Sequence, residues 1–315
     1  MQKYFNLFGG KKGEIMINIL ITGSTGFIGK ALINKLLSKD NIKVIATGRS
    51  DVQSISDAVN ITHENFKYYQ IKNLEDTLNI IEENIDVIIQ LAWPAPRENN
   101  IQIQKDFVES LAMFFKDASD KGIKKFINIG SIAELEGLYR DNPYGDTRAY
   151  AKYLLKNINR DILIWPMITN CYGEYENSTR LIRDVIRKTL NNEEIVFCPN
   201  QKFYDFVYVD DVAEALFLIA FKGKTDKSYL IKGQSGKLKL LLEYIAKDIL
   251  KTTNYKFIPN PEYSKGFPLE FIESLANILE EDTGYKAKTS LKEGIKKTYN
   301  YYFKRKHKTK KYKGE

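Results

Sequence analysis

The chain has 315 residues, with 48 Lys and Arg against 40 Asp and Glu, a formal net charge of +8. The excess sits at the ends: residues 1–15 hold three basic side chains and one acid, residues 304–315 hold seven and one, and the body between carries 38 of each sign. A neutral body argues against a broad nucleic-acid face, which needs Lys and Arg clustered on the fold itself. Two cysteines (Cys171, Cys198) make no disulfide framework or metal spacing, and two histidines (His63, His307) argue against a His-rich metal centre and a Ser-His-Asp hydrolase. No apolar run approaches the ~20 residues that span a bilayer, and no signal peptide is visible, so a cytoplasmic protein is the expectation.

In chain order, residues 1–15 read as a flexible leader. Ile17–Thr22 reads as a buried strand, Lys30–Lys39 as a helix with Ala31, Leu32, Leu36 and Leu37 inward, and Lys43–Thr47 and Phe66–Ile71 as strands. Leu74–Glu83 reads as a helix, Asp86–Ala92 as an apolar strand, Gln104–Lys121 as a long amphipathic helix and Lys125–Ile129 as a buried strand. A helix over Tyr144–Asn157 and a strand over Ile162–Ile168 follow. This alternation predicts βαβ units and a parallel, doubly wound α/β sheet. Continuous apolar runs such as Val87–Leu91 suit strands covered on both faces. Beyond residue 170 the rhythm loosens into a helix at Thr179–Leu190, a strand at Phe206–Val209, a helix at Asp211–Phe221, a strand at Ser228–Ile231 and a helix at Leu238–Leu250. The expected division is a dinucleotide-binding domain over 16–170, a smaller interleaved α/β substrate lobe over 171–303 and a disordered basic tail over 304–315.

Thr22-Gly23-Ser24-Thr25-Gly26-Phe27-Ile28-Gly29 joins the first strand to the first helix with the spacing G-x-x-G-x-x-G. Gly23 permits the tight turn, Gly26 lets a pyrophosphate approach the backbone, Gly29 lets the helix pack close, and the N–H groups of the helix start hold the phosphates. A glycine triplet also serves a ligand-free turn; the strand before and helix after it point to a dinucleotide cofactor in a Rossmann-type domain. At the end of the second strand Gly48 stands where an NAD enzyme places an acid for the ribose 2′-hydroxyl. Arg49 follows, a side chain able to stack on adenine and pair with a 2′-phosphate. NADP is favoured over NAD. Asp51 as a displaced ribose ligand keeps NAD open, and a solvated loop charge is the plain alternative for Arg49.

The glycine turn and the order of later segments resemble the extended short-chain dehydrogenase/reductase family, and within it the NAD(P)-dependent nucleotide-sugar epimerases, dehydratases and 4-ketoreductases, over residues 16–300. Asn73-Leu74 resembles the pair that the family places beside adenine, Leu91-Ala92 the strand end along its cofactor, and Phe126–Ser131 its fifth strand, ending in the active-site hydroxyl, here Ser131. Asn170-Cys171-Tyr172-Gly173 is similar to the family's Asn-x-Tyr-Gly, and Asp205–Ala213 to its late strand–helix junction. The resemblance implies a Tyr that moves the proton of a sugar alcohol or ketone, and a Lys four residues on, on the same helix face, that holds the nicotinamide ribose. Pro143-Tyr144-Gly145-Asp146-Thr147-Arg148 resembles that segment but carries Arg148 in the Lys position; an Arg supplies charge and donors without losing its proton. Lys152, one turn later, is the alternative, although that alignment puts Arg148 where the Tyr belongs. A third reading makes Tyr144 and Tyr150 partly buried helix residues with no proton to move. Glu134 lies where some dehydratase relatives keep an acid that removes the C5 proton, but a solvated loop charge is the favoured reading, and it is a poor basis for a dehydratase.

The resemblance further implies a nucleotide-diphosphate sugar held by the smaller lobe, with Trp93, Asn170, Arg180, Arg183 and Tyr204 as candidate contacts. Arg180 and Arg183, three apart on a predicted helix, either meet a pyrophosphate or form a solvated face. Tyr204-Asp205-Phe206 stands where relatives often have Arg-Asp-Phe, and Trp93-Pro94-Ala95-Pro96 either shapes the sugar pocket or is a rigid loop with a packed indole. The expected activity is 4-keto reduction or epimerisation at C4, without a metal. The rivals are a catalytically weak NAD(P)-binding sensor or scaffold and a reductase of a non-sugar carbonyl. Expected partners are a second copy of the chain, paired through Gln104–Lys121 and Tyr144–Asn157, and at most a weak membrane-surface contact through the tail.

Overall fold

The computed structural model of the chain describes residues 16–94, 100–138, 143–198, 203–258 and 269–312. The expected leader, and Ala95 and Pro96 of the Trp93 segment, lie outside them. The first half runs β1 (Ile17–Thr22), α1 (Phe27–Leu37), β2 (Ile42–Gly48), β3 (Phe66–Gln70), α2 (Thr77–Ile80), β4 (Val87–Gln90), α3 (Ile101–Asp120), β5 (Lys125–Asn128), β6 (Gly130–Ser131), α4 (Pro143–Asn159) and β7 (Leu163–Ile168). The second runs β8 (Asn170–Tyr172), α5 (Leu181–Asn191), β9 (Ile195–Phe197), β10 (Phe203–Tyr208), α6 (Val209–Lys222), β11 (Lys227–Ile231), β12 (Gln234–Lys237), α7 (Leu238–Glu243), β13 (Tyr255–Phe257), α8 (Leu269–Thr283) and α9 (Leu291–Tyr312).

The main sheet has the order β3-β2-β1-β4-β5-β7-β11, with β6 added to β7, and every pair is parallel. This is the doubly wound, Rossmann-type arrangement. Its order reverses between β1 and β4, so their carboxyl ends open a crevice where such sheets bind ligands. Successive β1 residues feed opposite faces. Ile19 and Ile21 pack with Leu32 and Leu36 of α1 and Val212 and Leu216 of α6, whereas Leu20 packs with Ile88, Leu111, Phe115 and Leu155 on the α3–α4 side. Both faces are covered, which is why these strands are apolar without alternation. β11 and α6, from beyond residue 170, complete this first layer. The smaller lobe adds the sheet β12-β10-β8, the pair β13-β9 and the helices α5 and α7.

Two expectations are corrected here. The helix expected over Leu74–Glu83 shrinks to the four residues of α2, because Glu83 is drawn to Lys43 (3.3 Å), Lys67 (3.0 Å) and the Tyr69 hydroxyl (2.8 Å). Of the basic segment expected to be a disordered tail, residues 304–312 are the last turns of α9, and 313–315 lie outside the described residues. Helical spacing brings its charges onto the body. Arg305 pairs with Asp57 at 2.9 Å, and Lys306 Nζ donates to the Leu190 carbonyl at 2.6 Å, a cation at the C-terminus of α5. Among the described residues no helix is long and apolar enough to cross a membrane.

Candidate active site

The floor of the site is backbone. Gly23, at φ +67°, turns the chain out of β1, and a Cβ there would lie 2.6 Å from the Ala92 nitrogen. Ala92 is fixed by the buried Gln90, whose Oε1 accepts from the Ala92 N–H (2.9 Å) and the Thr22 hydroxyl and whose Nε2 donates to the Ala92 carbonyl (2.8 Å). Gly26 precedes α1 with no side-chain cap. The amides of the first turn are therefore available to an anion.

A cavity of about 200 Å³ opens over this turn. Gly23, Gly26, Phe27, Ile28 and Gly29 line one side, Leu91 and Trp93 extend from β4, Ser131 comes from β6, Tyr144 and Arg148 from α4, and Arg180 from the approach to α5. Arg148 is only 5% exposed. Its guanidinium lies 4.2 Å from the Trp93 ring centre and 4.8 Å from that of Tyr144, close enough for cation–π attraction to both. One Nη donates to the Ile129 carbonyl, while Nε is buried without a partner. Trp93 is itself held by Nε1 donation to Gln104 Oε1 (2.8 Å). The Ser131 hydroxyl accepts from the Ala133 N–H (3.2 Å), leaving its own proton free to donate.

Glu134 is neither a solvated loop charge nor a group in the cavity. It is buried beneath Ser131, accepting from the Ser131 N–H (2.7 Å) and from Trp165 Nε1 (2.9 Å). Burial raises its pKa; the Ser131 amide, Arg148, Lys152 and Trp165 pull the other way. Lys152 faces this carboxyl. Burial lowers its pKa, and Glu134 partly restores it.

Several expected site residues are elsewhere. Lys152 lies one helical turn beyond Arg148 and does not line the cavity. Asn73 donates to Asp76 (3.0 Å), and Leu74 is buried in the α3–α4 core. Thr25 packs against Gly48. Asn170 Nδ2 donates to the Asp205 carbonyl (2.9 Å) and braces β8 to β10, and the Tyr204 ring packs on Phe206 at 5.1 Å. Arg180 precedes α5 as its N-cap, and Arg183 turns away to the Ser178 carbonyl (2.9 Å), so the two do not share a face. Arg49 lines a separate open cavity of about 550 Å³ with Gln70, Ile71 and Lys72. Tyr150 is exposed on α4. Unanticipated lining residues are Ile129, Gly130, Ile168, Thr169 and Cys171. Ile129, Gly130, Ile168 and Thr169 lie at or just after the ends of β5 and β7, and the rule that such sheets bind ligands at strand carboxyl ends is the signal that finds them, while Cys171 comes from β8.

The turn that excludes any Cβ at Gly23, the uncapped helix start and the unpartnered Arg148 Nε together fit a dinucleotide cofactor. Residues 19–231 match the model of the NAD dependent epimerase/dehydratase family. The dTDP-glucose 4,6-dehydratase of Salmonella typhimurium is 22% identical, covering 91% of this chain and 92% of that protein. The dTDP-4-dehydro-6-deoxyglucose reductase of Escherichia coli is 26% identical, covering 89% and 95%. The crystal structure of dTDP-glucose 4,6-dehydratase from Bacillus anthracis in complex with NAD superimposes with a TM-score of 0.76 at 18% identity, covering 92% of this chain and 98% of that one. The chain belongs to the NAD-dependent epimerase/dehydratase family, within the extended short-chain dehydrogenases/reductases.

Proposed function

We propose that the protein reduces a 4-keto group, or epimerises the C4 centre, of a sugar carried on a nucleoside diphosphate. The observation that carries this reading is the convergence of Ser131, Tyr144 and Arg148 on the cavity floored by the glycine turn. When bound, the nicotinamide gives or takes a hydride at the sugar carbon. The Tyr144 hydroxyl gives its proton to the carbonyl oxygen in reduction, and the resulting phenolate takes the proton of the alcohol in oxidation. The free proton of Ser131 donates to the same oxygen and orients it. Arg148 offers its unpartnered Nε to the nicotinamide ribose, and Trp93 walls the sugar side. Arg180 brings positive charge for the diphosphate. The orientation of Glu134 supports C4 chemistry over dehydration, because its carboxyl faces Trp165 and the Ser131 amide instead of a C5 proton in the cavity.

The preferred cofactor is NADP. Arg49 and Lys72 share an open cavity beside β2 and β3, and Asp51 caps the Gln53 N–H (2.8 Å). A Cβ on Gly48 would meet the Tyr68 hydroxyl at 2.8 Å and the Thr25 methyl at 2.9 Å, so an acid for a ribose diol there would first have to displace both side chains. The homodimer we propose pairs α3 and α4, which pack together and leave Met113, Tyr150 and Tyr153 54%, 56% and 67% exposed. A cytoplasmic location goes with its two free cysteines.

Tyr144→Phe tests the catalytic reading on a panel of 4-keto-sugar nucleotides with NADPH. Turnover is expected to fall about 10²–10⁴-fold with cofactor affinity retained. Unchanged turnover would leave the sensor or scaffold alternative standing.

A further inference from the structure

α9 runs along the segment that carries Arg180 into the cavity. Lys297 and Tyr301, four apart, share one face of α9, Tyr302 lies beside them, and together they border residues 174–176, Lys297 by way of Tyr208. Lys297 lies over the Tyr208 ring at 5.4 Å, and the Tyr208 hydroxyl donates to the Glu174 carboxylate (2.7 Å). The Tyr301 ring packs against that of Tyr175, the centres 4.7 Å apart and the planes tilted by 50°. Tyr302 donates its hydroxyl to the Glu176 carbonyl at 2.6 Å. Tyr175 is held at φ +63°, a left-handed backbone that a bulky residue keeps only under support from its surroundings.

Glu176 links this contact to the site. Its side chain is 2% exposed, accepts the Ser178 hydroxyl (2.6 Å) and pairs with Arg180 Nε at 3.5 Å. A buried carboxylate needs such partners. Arg180 has little else to orient it: its side chain is 42% exposed, and its other contacts are the Cys171 carbonyl at 3.5 Å and the Phe27 ring at 5.9 Å.

We propose that Tyr302 and Glu176 are positioning residues for Arg180: the C-terminal helix clamps the backbone of Glu176, and Glu176 aims the guanidinium, so that this helix sets the affinity for the substrate's diphosphate. The inference rests on the assignment of Arg180 to the diphosphate. The clamp reaches across 126 residues of sequence and works through one hydroxyl and one carboxylate.

The test is calorimetric binding of dTDP, UDP, CDP and GDP to the full chain, taking the tightest ligand forward. Tyr302→Phe keeps the ring and removes the donor; its dissociation constant for that nucleotide is expected to rise about tenfold, with NADPH affinity unchanged and the melting temperature lowered by no more than a few degrees. Glu176→Gln, which keeps the shape, is expected to do the same. Arg180→Ala is expected to weaken the nucleotide at least as much, and adding Tyr302→Phe to it to change nothing further, because the clamp acts only through Arg180. Independent effects in the double variant would overturn the clamp and leave the Arg180 assignment intact. An Arg180→Ala variant that binds like the unaltered protein, or failure of all four nucleotides to bind, would overturn the diphosphate assignment and the clamp with it.

Discussion

The two walls of the cavity are built by opposite means. On the cofactor side, placement comes from side chains left out: Gly23 admits no Cβ beside the Ala92 backbone, and the start of α1 after Gly26 carries no side-chain cap. On the substrate side, placement comes from side chains held by partners, with Gln104 holding Trp93, Trp165 holding Glu134 and Tyr302 holding Glu176. The first wall is backbone and intolerant of added atoms. The second is built from side-chain hydrogen bonds and intolerant of removed ones.

That contrast breaks first at Gly23. Gly23→Ala is expected to lose about 3 kcal/mol of stability from the left-handed backbone and the collision with Ala92, and most NADPH affinity with it; urea unfolding and a cofactor titration check both, and an unperturbed variant would refute the backbone account. Next comes Arg148, which stands on both walls. Arg148→Ala removes the cation between Trp93 and Tyr144 and is expected to lower kcat about a hundredfold, whereas Arg148→Lys, which restores a cation with its own donors, is expected to retain most of it. Steady-state kinetics with matched melting curves separate the two. Arg49→Ala sharpens the cofactor side: the ratio of NADPH to NADH affinity is expected to fall about tenfold or more with NADH binding unaltered, and a constant ratio would mean that Arg49 reads no 2′-phosphate.

The smallest effect is remote from the cavity. Burial opposes ionisation of Glu83, but Tyr69, Lys67 and Lys43 outweigh it and hold its pKa at about 2. A carboxylate lowered on folding stabilises the protein above its unfolded pKa and stops doing so as pH falls through the folded one. Glu83→Gln is therefore expected to lose about 1 kcal/mol at neutral pH, allowing for solvent screening, and less at pH 3. Urea midpoints at the two pH values measure it, while turnover at neutral pH stays unchanged.

The same contrast explains what was legible in the sequence. β1 falls on Ile17–Thr22 as read, and the glycine turn sits where its spacing required, because an apolar run and a glycine spacing are both read from neighbouring residues. Ser131, Tyr144, Arg148 and Arg180 reach the cavity from motifs that mark the ends of elements. Asn170 and Tyr204 do not. Their motifs locate a strand, but whether a side chain on it faces a ligand or braces its neighbour depends on Asp205 and Phe206 in the assembled sheet. Composition alone hid α9: a Lys-rich run reads as disordered until Tyr301, Tyr302 and Arg305 are counted as one helical face from Leu291 onward.

In the proposed reaction Ser131, Tyr144 and Arg148 act at C4 while Glu134 has no access to C5. Turnover of the nucleotide-sugar panel in deuterated water, read by proton NMR of the sugar against an enzyme-free control, separates this from dehydration. The hydrogen at C5 is expected to be retained and the change confined to C4. Enzyme-dependent deuterium at C5 would overturn the assignment.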